Sequence, residues 1–494
     1  MKFRILSAIV LLCLVFSCFG CSKSDNPPPA EPADYSITAL TVNGYDISAA
    51  ELNYFYIDSI RDYLSQYGNY LQWYGLDPQA PLGTQIYNKD TGETWADYFL
   101  DSAIASAKNT YALYSESIAA KHSLSKEEQE SADGLIEYMD SYVKKYDYAD
   151  AQAYLADNYG QGSDTKSYQA YYKVLITASS YFNAYAEDLK DSYTDVILRD
   201  FEGDEGYKYN SYSYASIYLD SKAFASIEEL DAAVTSLSNP NLNSVEKLNS
   251  ALASLEQSKN PDAESFSKAT ETKDKLYSGV NAVLQEWIRD EARQIGDITA
   301  LKDTTKNQNV EVLNGYYIVL FQGVKDNQYP LANVRHILVA FEGGTYNSLT
   351  GQTTYTQAEK DKAKADANKI YDEWLNGEKT EDSFAALAKE HTDDGNGDVG
   401  GIYYDIYPGQ MVQTFNDWCF DEIRQPGDHG IVETEYGYHI MYYSGDSETS
   451  FRDYMVSNDK LSADLEKWQK ELFEAAKPET IDTSLVNKDY IISG

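Results

Sequence analysis

The body of this chain is almost without cysteine: Cys13, Cys18 and Cys21 crowd the first residues, and only Cys419 follows. A single thiol closes no intrachain disulfide and no cysteine-rich metal site, so stability must come from packing. Basic runs are missing as well. Lys+Arg number 40 against 79 Asp+Glu, a formal net charge of −39. A surface of that sign repels nucleic acid and anionic headgroups, which are bound through Lys/Arg clusters, so nucleic acid is excluded as a partner. Past Phe16 no apolar stretch is long enough to cross a membrane. The acidity itself reads as solubility outside the cell.

What is present begins at the N-terminus. Lys2 and Arg4 precede the apolar run Ile5–Phe16, too short for a stable span and of the form of a signal-peptide core. It ends in Cys18-Phe19-Gly20-Cys21. A small residue before cysteine at this place resembles the bacterial lipobox, whose cysteine sulfur is acylated. That resemblance implies a lipoprotein signal peptide over 1–20 and lipidation at Cys21, with Cys18 as competitor. It also implies anchoring on the extracytoplasmic face of the cell membrane; plain secretion is the alternative. Residues 21–35, with Pro27, Pro28, Pro29 and Pro32, form a tether favouring polyproline II, reaching about 40 Å at roughly 3 Å per residue.

A length of 494 residues suggests about three domains. Residues 36–202 read as mainly helical. Ser48-Ala49-Ala50-Glu51 has the form of a capping box, opening an aromatic-rich helix. Further helices are expected over Trp95–His122, Ser125–Lys145, Asp150–Asn158 and Ser167–Ile197, punctuated by glycines. Val42-Asn43-Gly44 and the helix after it resemble the N-terminal chaperone segments of periplasmic and Gram-positive foldases. His122 is expected on the surface at a helix end. The 45 tyrosines suit a protein offering amphipathic rings to varied partners.

An internal repeat organises the rest. Residues 286–297 (EWIRDEARQIGD) and 417–428 (DWCFDEIRQPGD) agree at seven of twelve positions without a gap. Each is an amphipathic helix with a Gly turn, followed by a strand hairpin ending in Gly315-Tyr316-Tyr317 or Gly437-Tyr438-His439. Each copy can begin on a strand, Tyr212–Leu219 or Val334–Ala340. The chain therefore reads as α+β and multidomain: a helical domain (36–202), two related α/β domains (203–330 and 333–446) and a C-terminal segment (447–494) with a helix over Ala463–Ala476.

In the second copy Asn333-Val334-Arg335-His336-Ile337-Leu338 is an apolar strand with one histidine. Thr356-x-x-Glu359 caps a helix stopped by Gly377. Then come Thr392-Asp393-Asp394, Gly397-Asp398-Val399-Gly400-Gly401, Gly409-Gln410-Met411 with Phe415, and Gly437-Tyr438-His439-Ile440. These separated motifs, in this order over 333–446, resemble the parvulin family. The resemblance implies a four-stranded sheet with helices around it and peptidyl-prolyl cis/trans isomerase activity. By motif it makes His336 and His439 the paired central histidines and Asp394 the acidic position. Val399, Met411 and Phe415 would line the proline pocket, with Thr434 and Tyr436 supporting or bordering it. Whether Asp394 acts electrostatically or as scaffold stays open. The first copy has no histidine, and Tyr317 stands at the place of His439, so it reads as a degenerate parvulin-like domain, a binding or spacer module.

These residue types suit the reaction. X-Pro rotation faces a barrier of roughly 18–20 kcal/mol from amide resonance. Lowering it needs no nucleophile, metal or cofactor, only an apolar cup for the proline ring and polar groups that favour the twisted amide. The acidic loop at Asp394 has partial EF-hand spacing, but Val399 stands where a calcium loop needs Gly. His391 and His429 read as turn or helix-end residues and Cys419 as core. The loop after His336 lacks the basic cluster for phospho-Ser/Thr-Pro selectivity. The expected partners are unfolded or partly folded exported proteins through their X-Pro segments, and the membrane through the lipid. The rivals are a non-catalytic, lipid-anchored holdase chaperone with an inactive parvulin domain, and a lipid-anchored solute-binding protein.

Overall fold

A computed structural model describes residues 33–307, 310–347, 351–421 and 423–492; the signal peptide, Cys21 and the tether through residue 32 lie outside them. These residues divide into two units, one of 33–193 with 461–492 and the other within 194–460. It is α+β: a helical N-terminal region, two four-stranded sheets and a C-terminal helix.

In the first unit β1 (Thr38–Val42) and β2 (Tyr45–Ser48) form a hairpin. Its turn, Asn43-Gly44, has φ of 50° and 81°, the two-residue geometry that matches the twist of paired strands. The strand Pro478–Thr480 pairs antiparallel with β1. The region expected to be helical thus opens on a three-stranded sheet, whose strands are too short for alternation to stand out. The Ser48/Glu51 capping box is present and starts α1 (Ala49–Tyr67). A short hairpin, β3 (Ile86–Asn88) and β4 (Glu93–Thr94), leads into α2 (Trp95–Ala119), α3 (Lys126–Tyr142), α4 (Ala151–Tyr159) and α5 (Thr165–Asp191). The last helix was expected to reach Ile197. It stops at Asp191, and the Thr194 side chain, accepting from the Ile197 N–H, caps a separate helix, α6 (Asp195–Glu202).

Leu40, Ile47, Leu52, Tyr54, Tyr56, Trp95 and Phe99 are fully buried in this unit, each contributing roughly 1.5–3 kcal/mol through burial. A polar knot sits among them: the Asp58 carboxylate accepts from Tyr159 Oη (3.0 Å) and Tyr171 Oη (2.9 Å) and pairs with Arg61 at 3.4 Å. Many tyrosines are therefore core residues whose hydroxyls found partners. His122 is half-buried rather than on the open surface, its Nε2 meeting Ser180 Oγ at 2.8 Å. The C-terminal helix runs Phe451–Ala475, starting well before the expected Ala463. Ser450 Oγ accepts from the Asp453 N–H (3.0 Å) at its start. Its Leu461 and Leu465 pack with Leu113, Ala178 and Phe182.

The second unit holds the repeat. Its first copy contains β5 (Ser211–Asp220), α7 (Ile227–Leu237), α8 (Val245–Lys259), β6 (Thr270–Leu276), α9 (Ala282–Ile288), β7 (Ile298–Asn307) and β8 (Val310–Lys325). The second contains β9 (Pro330–Ala340), a small hairpin β10 (Thr345–Asn347) and β11 (Gln352–Thr354), α10 (Gln357–Asn376), α11 (Glu381–His391), β12 (Ile402–Ile406), α12 (Gln413–Cys419), β13 (His429–Glu433) and β14 (Gly437–Ser450). The sheet orders, β6-β5-β8-β7 and β12-β9-β14-β13, are one topology used twice.

The repeated residues build one local clamp in both copies. Arg293 lies over the Trp287 ring at 4.1 Å and donates through Nε to the Trp287 carbonyl (3.2 Å). Arg424 lies over Trp418 at 4.0 Å and donates likewise (2.9 Å). Gly296 and Gly427, with φ of 95° and 90°, donate to the carbonyls of Phe321 and Tyr443 at 2.9 and 2.8 Å. The identities visible in sequence fasten the helix to the following hairpin; they do not form the site.

Candidate active site

The register of β9 against β14 places the two central histidines. His336 lies opposite Met441, and His439 opposite Leu338. Residues two apart on a strand share a face, so both imidazoles stand on one side of the sheet as diagonal neighbours. Both are buried. Their Nδ1 atoms are 3.1 Å apart and their rings stack at 5.3 Å, 23° between planes.

Asp394 reaches them from the loop after α11. That loop runs beside β9 beyond the end of β12: the Asp393 N–H donates to Leu338 O (2.9 Å), and Thr392 Oγ1 accepts from the Leu338 N–H (3.0 Å). Asp394 Oδ2 is then 2.9 Å from His336 Nε2 and 2.7 Å from the Tyr403 hydroxyl. At the other end, Thr434 Oγ1 lies 2.9 Å from His439 Nε2, placed by a β13–β14 turn in which the Thr434 N–H donates to Gly437 O (2.9 Å).

Donor and acceptor roles follow from chemistry. The His336 contact holds the Asp394 carboxyl well below the usual carboxylate range, with Tyr403 and the Gly395 N–H assisting against burial; it is ionised and only accepts. His336 Nε2 therefore donates. With both rings neutral, Nδ1 of His336 accepts from Nδ1–H of His439, and Nε2 of His439 accepts from the Thr434 hydroxyl. Burial, and then His336, push His439 down to about 4, which keeps it neutral near pH 7. The four groups form one directional chain.

Phe415 closes this face. α12 buries Phe415 and Cys419, one turn apart. The Phe415 ring meets both imidazoles edge-on, at 5.5 Å from His336 and 5.4 Å from His439. Met411, half-buried, packs in the same apolar cluster with Phe415, Met441 and Val432. Val399 is placed differently. It lies on a 3-10 turn, Gly397–Val399, outside that cluster, and its carbonyl accepts from Arg335 Nη1 at 3.3 Å. Tyr436 is exposed and reaches the site only through its backbone N–H, which donates to Thr434 Oγ1 (3.2 Å). Gly401 (φ 70°) passes so close that a Cβ would stand 2.2 Å from His336 O.

Two residues, Tyr403 and Arg335, escaped the sequence reading, and a third, His429, sits on a different element from the one expected. Tyr403 stacks on His336 at 5.2 Å and 23°; its only signal was a place on a short strand in a tyrosine-rich chain. Arg335 pairs with Glu381 (2.8 Å) and ties down the Val399-Gly400 turn. His429, expected in a turn or at a helix end, lies on β13, hydrogen-bonded to the Tyr371 hydroxyl and edge-on to Trp374 at 4.7 Å. Cys419 is core, its thiol pushed up to about 12 by burial. No cluster of three or more potential metal-ligating side chains occurs among the described residues.

In the first copy Gly315 pairs with Asp220 and Val319 with Ser216, as Gly437 pairs with Ala340 and Met441 with His336. Ser216 and Tyr317 therefore stand at the places of the two histidines.

Residues 316–446 match the family model for the PPIC-type PPIASE domain; the match begins on β8, upstream of the expected start at 333. Among solved structures the chain is similar to the peptidylprolyl isomerase PrsA from Bacillus cereus, at 22% identity and a TM-score of 0.18, over 33% of this chain and 57% of that one. It is also similar to PrsA from Bacillus subtilis, at 15% identity and a TM-score of 0.31, over 80% and 93% of the two chains. A third likeness is to a SurA-like chaperone from Campylobacter jejuni, at 22% identity and a TM-score of 0.16, over 30% and 54%. The first and third alignments thus take in little more than half of those proteins. No curated protein matches the chain. The chain thus carries a PPIC-type PPIASE domain, the parvulin type, over residues 316–446.

Proposed function

We propose that this protein is an extracytoplasmic foldase that isomerises X-Pro bonds at the His336/His439 site and holds unfolded exported chains on its helical unit. The observation that carries the first part is the continuous chain Thr434–His439–His336–Asp394 beneath Phe415 and Met411. A planar X-Pro amide loses resonance as it twists, so an apolar cup that grips the proline ring better in the twisted form than in the planar one lowers the barrier. Phe415 and Met411 supply that cup, and the buried polar chain fixes its floor without a nucleophile, metal or cofactor. A proline-peptide exchange assay tests it: the full chain should accelerate cis/trans exchange, and His439→Ala and Met411→Ala should each abolish most of that acceleration. A wild-type chain without acceleration leaves the non-catalytic holdase.

The holding function rests on a separate observation. Residues 63–88 carry one charged side chain, Asp77, in a chain of net charge −39. This stretch exposes Tyr70, Trp73, Tyr74, Ile86 and Tyr87, Trp73 by 78%. Ring contacts run along it: Tyr70–Trp73 at 5.3 Å, Tyr67–Tyr74 at 5.5 Å, Tyr87–Tyr98 at 4.4 Å. A neutral aromatic window in an acidic surface suits unfolded chains with Lys or Arg beside apolar residues: the acids attract the bases, and the window takes the apolar side chains without burying charge. Trp73→Ser with Tyr74→Ser should weaken suppression of client aggregation and leave peptide isomerisation intact.

Within this reading the parvulin domain is 333–446, 203–330 is a related domain without the histidines, and 36–202 is the chaperone part. Acylation at Cys21 holds the protein at the outer face of the cell membrane; among the described residues no helix is long and apolar enough to cross it. Lipid labelling lost in Cys21→Ala and kept in Cys18→Ala supports that anchor, and the reverse result assigns it to Cys18.

A further inference from the structure

The geometry assigns Tyr403 as a positioning residue of the isomerase site: its hydroxyl and ring together hold Asp394 and His336 in the one arrangement that makes Nε2 of His336 a donor. The role in catalysis rests on the isomerase reading; the arrangement itself does not. Two contacts carry it. The phenol donates to Asp394 Oδ2 (2.7 Å), the same oxygen that takes His336 Nε2–H (2.9 Å). The Tyr403 ring also lies nearly parallel to the His336 imidazole, centroids 5.2 Å apart. Tyr403 comes from β12, on the side of β9 away from His439, with its backbone opposite Val334.

The consequence reaches both histidines. Asp394 Oδ1 has the Gly395 N–H (2.9 Å), so among the described residues Tyr403 is one of two side chains that hold the carboxylate, the other being His336. Without the hydroxyl, Oδ2 loses a donor and takes up a solvent proton more readily. A protonated Asp394 presents O–H to His336 Nε2. His336 must then carry its proton on Nδ1, His439 must carry its proton on Nε2, and Thr434 must turn from donor to acceptor. One proton is gained at the carboxyl, and each ring keeps one. Tyr403 thus extends, toward acid, the pH range over which the whole chain keeps its direction. The titratable groups facing Asp394 in this arrangement are His336 on β9, Tyr403 on β12 and, through His336, His439 on β14.

The test is nitrogen-15 NMR of histidine-labelled full-length protein across pH, beside peptide isomerisation. Wild type should show His336 protonated on Nε2 and His439 on Nδ1 through the neutral range. In Tyr403→Phe that tautomer pair should break down at a higher pH than in wild type, mixed tautomers appearing on the acid side of the neutral range. In the same variant kcat/KM should fall about tenfold, mainly in kcat, with the acid limb of its pH profile moving the same way. Tyr404→Phe, an exposed neighbour, should change neither. Tyr403→3-fluorotyrosine keeps the shape and strengthens the donor, so it should lower the transition, and it serves if the Phe variant does not fold. Unchanged tautomers and pH profile in Tyr403→Phe overturn the assignment even when wild type is an active isomerase. An inactive wild type with the expected tautomer changes keeps Tyr403's positioning role and removes the isomerase reading instead.

Discussion

The Nδ1 atoms of His336 and His439 stand 3.1 Å apart, and two lone pairs cannot share that distance. One nitrogen carries a proton toward the other, and because Asp394 claims the far side of His336 (2.9 Å), that proton belongs to His439. With both rings neutral, the pair is a relay of fixed polarity.

Acid should undo this relay. His439 is depressed from 6.5 to about 4 by burial and then by His336. Between those values the unfolded chain binds a proton that the folded chain refuses, so stability is full above pH 6.5 and declines as pH falls toward 4. The slope sums to about 3 kcal/mol over that window. Denaturant midpoints of the full chain should fall across it, and His439→Asn should flatten the dependence. Equal slopes in the two proteins would remove the argument.

Met411 and Phe415 should separate binding from folding. Met411 is half-buried and Phe415 is 3% exposed against both imidazoles. Met411→Ala should lower kcat/KM about tenfold with little change in melting temperature, since one adaptable contact is lost at the rim. Phe415→Ala should cost about 3–5 kcal/mol as well, through cavity formation. Calorimetry beside the peptide assay distinguishes them.

The acidic knot of the first unit gives another measurement. Asp58→Ala removes the acceptor shared by the Arg61 guanidinium and the Tyr159 and Tyr171 hydroxyls, Arg61 keeping Asn158 and Tyr159 keeping Tyr168, and should destabilise by about 3 kcal/mol. Tyr171→Phe removes a single partner and should cost about 1–2 kcal/mol. Urea unfolding of both variants checks the ratio.

Arg452 fastens the second unit. Its guanidinium donates to Glu202, to Asn210 Oδ1 (2.8 Å) and to the carbonyls of Asp326 (2.9 Å) and Gly206 (2.7 Å). No ammonium reaches four partners in that fork. Arg452→Lys should therefore destabilise nearly as much as Arg452→Met, by about 3 kcal/mol, and a lysine that restores stability would show the fork to be dispensable.

Legibility in the sequence followed the source of each signal. Residues brought together by a strand register or a short motif, His336, His439, Asp394 and Phe415, could be named because their neighbours fix their direction. The repeat was readable because Trp287-Arg293 and Trp418-Arg424 make the same clamp, a structural demand that permits little substitution. Tyr403 was not readable, since its role comes from a loop lying across the end of β12. Val399 shows a different dependence: its motif is a backbone turn held by Arg335, and its side chain is not among those packed around Phe415. Pairing of Pro478–Thr480 with β1 joins segments over four hundred residues apart, and no local pattern announces that.

That distant pairing sets an order of events during synthesis. Leu461, Leu465, Ala476 and Val486 are buried in cores shared with helices of residues 49–191. The first unit therefore stays incomplete until the last thirty or so residues have emerged, while everything from 194 to 460 is already available. The unit that carries the PPIC-type domain is an insertion within a domain that can only be sealed afterwards: with residue 460 clear of the ribosomal exit tunnel and 461–494 still inside it, a finished second unit should sit on an unfinished first.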